Sequence, residues 1–309
     1  MSEALSKTLH GDFNSVFQEV GQTEPVAWTT DGELRLFHLN IRNNKFNIEG
    51  MKALLYRNIR EYVFSRAKIE RFKTSGDAYM VGSQALRVLN NNGEADVKGT
   101  GGELGEMLLY SFLEEKLNAS KLMSRVELAT DAKQYKSTCD SIHLLTSGTS
   151  GMPYHQVVFG TSNIVGDIKY AIDGAFDSIM RIDQNEDKEL HMVDNVVFDR
   201  LLNEEEIELA REVFIPSPSK TVPYNTSYGV FLGYTLGLDP NGYSIDEFPH
   251  IAEEKMQDDI KRNIPYILQK IKDNGLSLHS FYFYVFPLND AEDEKKTIME
   301  AVLKGEVDL

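Results

Sequence analysis

Two hydrophobic rhythms alternate along this chain, one of about three to four residues and one of two. The stretch Leu34 to Ile41 (LRLFHLNI) alternates as a strand does. Ile48 to Ser65 has helical period, with Met51, Leu54, Leu55, Ile59, Tyr62 and Val63 on one face. Ala78 to Leu89 predicts a shorter helix, stopped by Asn90-Asn91-Asn92-Gly93. Glu103 to Leu117 predicts a strong helix with an apolar stripe of Leu104, Met107, Leu108, Phe112 and Leu113. Leu122 to Ala129, Ser141 to Leu145 and Gln156 to Val165 read as strands, the last two joined by the turn-rich run from Thr146 to Gly151. Gly166-Asp167 opens a long amphipathic helix carrying Ile168, Ala171, Ile172, Ala175, Phe176 and Ile179.

Two acidic helices are expected near Leu190 to Arg200 and Glu204 to Phe214, before the Ser217-Pro218-Ser219 break. Ser227 to Leu238 and Leu276 to Pro287 look like buried strands, flanking a helix from Ile251 to Lys272 that Pro265 should kink or interrupt. The order is that of a mixed α/β chain. The Asn- and Gly-rich stretch from Asn90 to Gly102 is the best boundary. It divides an N-terminal α/β region (1–98) with a basic helix from a core (99–182) and a C-terminal region (183–309) of acidic helices and strands, expected to pack on the core.

Charge sharpens this picture. The chain of 309 residues has a formal net charge of −16, which opposes non-specific adhesion to nucleic acid. The charge is uneven. Between residues 52 and 73 lie seven basic residues, Lys52, Arg57, Arg60, Arg66, Lys68, Arg71 and Lys73, against Glu61 and Glu70, a candidate face for nucleic acid or a partner. Between 183 and 212 lie eleven acidic residues against three basic ones. Both runs also suit solvated helix faces. No window reaches the roughly 20 apolar residues of a membrane span, and the first ten residues lack a continuous apolar run, so a cytoplasmic protein without signal peptide is expected. The one cysteine, Cys139, excludes an internal disulfide and a multi-cysteine zinc site, and reads as packing.

The candidate chemistry sits in the middle. Glu103 and Glu106 open a helix, Asp140 precedes a strand, and the next strand holds Thr161-Ser162-Asn163. This is the order of a restriction-type nuclease core, whose second strand should carry Glu-x-Lys. Such a site uses carboxylates to hold Mg²⁺ or Mn²⁺, which polarises phosphate and lowers the pKa of an attacking water. A lysine would stabilise the developing charge. Residues two apart on a strand share a face, so Thr161 and Asn163 are expected together on the face that looks at Asp140. A neutral hydroxyl and a neutral amide would stand there in place of a metal ligand and a cation. Glu106 with Asp140 would hold a metal only weakly, and a cofactor is expected only if the site is active. Lys133, Lys136 or Lys169 is the candidate relocated lysine. The plainer reading makes Glu103 and Glu106 first-turn acids favoured by the helix dipole, and Asp140 a turn residue.

Three segments in order, GGELGEMLLYSFLEEKL, CDSIHLL and FGTSNIVGDIKYAIDGAFDSI, resemble the HamA family, small subunits of the Hachiman anti-phage defence system. The resemblance covers about residues 99 to 182 well and the flanks loosely. It implies a PD-(D/E)XK restriction-endonuclease-like core with added N- and C-terminal α/β elements, and a large helicase partner, HamB. The family pattern at the second strand is Gly-Glu-Ser-Lys. Here Gly160 and Ser162 are kept, while Thr161 and Asn163 replace both catalytic groups. The resemblance supports fold, partner and pathway, without licensing nuclease activity.

Other features carry less. The run from Leu145 to Pro153 resembles the phosphate loop of acyl-adenylating enzymes, but Tyr154 stands where a lysine belongs, so a hairpin connection is expected. His143, His155, His191, His250 and His279 are dispersed, and His143, three residues beyond Asp140, should fall on the opposite face as core. The run from Phe281 to Tyr284 suits a buried strand better than a base-stacking platform. Three functions compete. First is a defence subunit with an impaired nuclease fold, bound to a helicase and engaging DNA through the complex. Second is an active metal-dependent nuclease with a relocated lysine. Last is a structural adaptor with no nucleic-acid role.

Overall fold

The computed structural model of the chain describes residues 5–21, 26, 28, 30–92, 102–131, 137–149, 152–190, 207–208 and 224–308. A seven-stranded mixed sheet organises them. Its strands are β1 (Phe17–Val20), β2 (Gly32–Leu39), β5 (Ser120–Ser124), β6 (Ser141–Thr149), β7 (Met152–Ile164), β8 (Tyr224–Thr235) and β9 (Ser280–Leu288), in the spatial order β1-β2-β9-β8-β7-β6-β5. The four central strands β2, β9, β8 and β7 run parallel, and the two edges are closed by antiparallel pairs. A small hairpin, β3 (Ile41–Arg42) and β4 (Lys45–Phe46), follows β2.

Parallel central strands need cover on both faces, which is why they read as continuous apolar runs. All nine residues of β9 are buried. Its aromatics are core: Phe281 packs near Tyr228 and Phe176, and Tyr284 near Phe37 and Phe112. One face is covered by α6 (Gly102–Glu115), whose Leu104, Met107, Leu108, Phe112 and Leu113 are buried as the stripe predicts. The other is covered by α8 (Ile168–Asp183), capped by Asp167 accepting from the N–H groups of Lys169 and Tyr170. Helix α9 (Phe248–Asp273) packs beside α8, with Lys270 paired to Asp173, and α10 (Ala291–Lys304) packs beside α6 on the opposite face.

Several boundaries differ from the sequence reading. The helix expected over 48–65 is two, α2 (Glu49–Arg57) and α3 (Ile59–Val63). Asn58 breaks it by clamping the N-terminal segment: its Oδ1 accepts from His10 N at 2.7 Å, and its Nδ2 donates to His10 O at 2.7 Å and Leu54 O at 2.8 Å. The basic run then continues in α4 (Arg66–Thr74), before a 3₁₀ turn (Ala78–Met80) and α5 (Val81–Asn92).

The strand expected over 122–129 ends early, giving way to α7 (Arg125–Asp131). Its start is a capping box: Ser124 N donates to Glu127 Oε2 at 3.0 Å and Glu127 N to Ser124 Oγ at 3.4 Å. α9 runs through Pro265 as one helix instead of stopping there. Of the boundary expected over Asn90–Gly102, Asn90–Asn92 still belong to α5, which runs past the expected stop, and Gly102 opens α6; the residues between them and most of the two expected acidic helices lie outside the described residues, as does His191.

Candidate functional site

Strand β7 carries the tripeptide Thr161-Ser162-Asn163 between two helices, with a glycine opposite it on each side. On the α6 side, a Cβ at Gly105 would meet Ser162 Oγ at 2.8 Å, so only glycine lets the helix approach this closely. On the α8 side, a Cβ at Gly174 would overlap the Asn163 amide. Strand alternation does the rest: Ser162 faces α6, and Thr161 and Asn163 face α8.

The shared face of Thr161 and Asn163 is therefore the one turned away from the carboxylates, contrary to the expected convergence. Asn163 Nδ2 donates to Ala171 O at 3.2 Å and Tyr170 O at 3.5 Å, tying the strand to the start of α8. Thr161 is buried. The residue that meets Asp140 is Ser162. Asp140 lies just before β6, where strand alternation does not bind it, and its Oδ2 accepts from Ser162 N at 2.6 Å and Ser162 Oγ at 2.8 Å.

Three elements converge on this point. From α6, Glu106 accepts a hydrogen bond at 2.6 Å from the hydroxyl of Tyr62, which α3 places there fully buried. From the start of α7, Arg125 Nη1 lies 3.7 Å from Asp140 Oδ1 and donates to Cys139 O at 3.2 Å. Burial first, then the nearby Asp140 charge, raises the Glu106 carboxyl to about 8. Burial also raises Asp140, against the opposing pull of Arg125 and Ser162. Glu103 lies one turn before Glu106 and adds to its repulsion. The same surroundings, burial and the Glu106 charge, push the Tyr62 phenol well up.

Asp140 is held from behind as well. Glu189, fully buried, accepts from Ser137 Oγ at 2.7 Å and Thr138 N at 3.1 Å, anchoring the segment that leads into Asp140. Cys139 is buried within it, and its thiol is pushed well up by burial and then by Glu189.

These groups do not fit a divalent cation. Hard cations want several free oxygen ligands. Here Ser162 takes up one oxygen of Asp140 with two hydrogen bonds, a guanidinium stands 3.7 Å from the other, and Thr161 faces the other way. Among the described residues no three His, Cys, Asp or Glu side chains cluster closely enough to hold a metal ion. Of the candidate lysines, Lys133 and Lys136 lie outside the described residues, and Lys169 Nζ sits 4.8 Å above the Tyr266 ring, out on α8.

Sequence reasoning missed Tyr62, Arg125 and Ser162. Arg125 was hidden by reading 122–129 as a strand, although Ser124-x-x-Glu127 is a helix-start signature. His143 is core: its Nδ1 lies 2.8 Å from Ala119 O and burial lowers its pKa to about 4.

The basic run is partly consumed by the fold. Lys52 pairs with Glu49 at 2.7 Å and Arg60 with Glu61 at 2.5 Å. Arg66 is turned inward to Lys121 O and Ser6 O. Arg57, Lys68, Arg71 and Lys73 remain exposed.

A model of the HamA family matches residues 13–302, nearly the whole chain. The chain belongs to the HamA family. The match reaches well beyond the three central segments, from the short helix α1 (Phe13–Val16) at one end, through the Tyr62 helix, to α10 at the other. A search of curated proteins finds no match. Among the described residues no helix of this HamA-family chain is long and apolar enough to cross a membrane.

Proposed function

We propose that this chain is the nuclease-like, catalytically silent subunit of a Hachiman anti-phage complex, which works with a helicase partner and reaches DNA through that complex. Membership of the HamA family points to Hachiman defence. The order of Glu106, the Asp140 strand, β7 and α8 supports a PD-(D/E)XK-type core. The observation that carries silence is the orientation of β7. It presents Ser162 to Asp140, while Thr161 and Asn163 are turned to α8 and Asn163 is bound to backbone there. Hydrolysis at this site would need an activated water and charge compensation at the phosphate. With Asp140 shared between Ser162 and Arg125, and Thr161 and Asn163 turned to α8, the strand brings neither a second carboxylate nor a lysine to the place where a metal and an attacking water would be held.

The test is direct. The purified chain, with Mg²⁺ or Mn²⁺ and either supercoiled or linear DNA, is expected to cleave no faster than its Asp140→Ala variant. Robust metal-dependent cleavage by the wild type, abolished in Asp140→Ala, would instead establish an active nuclease. Arg125 would then be the first cation to substitute, because it is the one beside Asp140. Association is tested by coexpression and copurification with a HamB-like helicase.

A further inference from the structure

The segment after α3 has an unusual surface. Helix α4 has no buried residue. It rests on the body through the half-buried Ile69 and Phe72, the latter 5.6 Å from the Phe64 ring. Its outer side offers Arg71 and Lys73, with Glu70 pairing Lys73 at 3.2 Å, while Lys68 Nζ lies 4.3 Å over the Phe64 ring and Asp77 is exposed at the end of the helix. The helix then stops abruptly. Gly76 takes a φ of +82°, and Asp77 N donates back to Phe72 O at 3.0 Å, the wrapped C-terminal turn that glycine permits. The chain folds against α4 as the 3₁₀ turn, whose Tyr79 is 80% exposed and Met80 37% exposed. Among the described residues Tyr79 is the most exposed tyrosine ring, ahead of Tyr170 at 72%, and it follows the cations of α4 by a single turn of chain at Gly76.

We infer that α4 and the turn after it form a binding face for single-stranded nucleic acid, with Arg71 and Lys73 contacting phosphates and Tyr79 stacking on a base. Charge decides the occupant. Residues 68–80 carry Lys68, Arg71 and Lys73 against Glu70 and Asp77, net +1 on a chain of net charge −16, and this net positive face with a solvent-exposed ring suits a polyanion that carries flat apolar bases. Stacking on an aromatic ring is sequence-tolerant, because every base has a π-face. The face is separate from the Asp140 site and needs no cleavage there. The inference deepens the reading that this subunit acts at DNA, and rests on that reading.

The experiment is fluorescence anisotropy of a labelled oligothymidylate of about 20 nucleotides, long enough to span several stacking positions, titrated with the full chain across a series of salt concentrations. Tyr79→Ala is expected to weaken binding about 5- to 150-fold, the range for losing one stacked base, while Tyr79→Phe binds as wild type does. Arg71→Gln with Lys73→Gln is expected to reduce the slope of log affinity against log salt by about 1.4, two phosphates' worth for a single strand. Tyr79 is exposed, so an unchanged thermal melt confirms that each variant is folded. Equal binding by wild type and Tyr79→Ala, or no binding by wild type at low salt, overturns the inference. Copurification with the helicase is measured on the same variant. If Tyr79→Ala loses the helicase and keeps the oligonucleotide, the face is a protein interface and the inference falls. If wild type never copurifies with a helicase yet binds the strand through Tyr79, the defence-complex reading fails and this one stands.

Discussion

Installing glutamate at Thr161 and lysine at Asn163 would restore the family tripeptide in sequence, and the structure says it will not restore a site. Both positions face α8, with the strand between them and Asp140. Asn163 gives α8 two hydrogen bonds to backbone carbonyls, and losing them costs about 1 kcal/mol net, since the second is long. Its amide also lies against the bare Cα of Gly174. A lysine there must displace the helix, at about 1–3 kcal/mol for overpacking. Thr161 is 2% exposed, so a glutamate must bury a carboxylate or take up a proton, at roughly 2–4 kcal/mol. Together these approach about 4–8 kcal/mol against the roughly 5–15 that a fold retains. The double variant should therefore unfold at a urea midpoint lower by more than about 1 M, and should not cut DNA. Gly174→Ala offers an internal check: it should destabilise the wild type and do so far less in Asn163→Ala, where the clash is gone. A double variant with the wild-type midpoint, or one that cleaves DNA in an Asp140-dependent way, would refute the facing deduced for β7.

Other outcomes follow from buried polar groups. Glu114 is fully buried and accepts from Thr8 N, Leu9 N and Lys121 N, so Glu114→Gln, which turns an N–H₂ toward at least one of those donors, should cost about 2–4 kcal/mol by urea denaturation. His143 has its pKa lowered to about 4, so the unfolded chain binds its proton first as pH falls. Its contribution to stability should be full above about pH 6.5 and fall by about 3 kcal/mol by pH 4, and His143→Gln should flatten the denaturation midpoint across that window. Cys139 is buried with its thiol pushed up, so a thiol reagent should label the native chain only as fast as it unfolds, and the urea-unfolded chain at once.

What could be read from residues alone was whatever depends on neighbours in the chain. The stripe from Leu104 to Leu113, the Asp167 cap and the apolar runs of β8 and β9 are local patterns, set by helical and strand period and by side chains bonding to backbone two or three residues on. The order of Glu106, Asp140 and β7 was legible for the same reason, and the structure brings Glu106 and Asp140 together. The break at Asn58 was not legible, because its cause is His10, 48 positions away. Nor was the pairing of β2 with β9, which seats an N-terminal strand beside one from the far end of the chain. The facing of β7 was the costliest gap. Period two says that Thr161 and Asn163 agree with each other. It cannot say which helix they face, because one residue of register turns a strand's whole set of side chains over. That choice was made by packing at long range: Gly105 admits α6 onto Ser162, and Gly174 admits α8 onto Asn163. Tyr62 and Arg125 reach Asp140 and Glu106 from elements that share no local pattern with them, so only the folded chain could assemble that cluster.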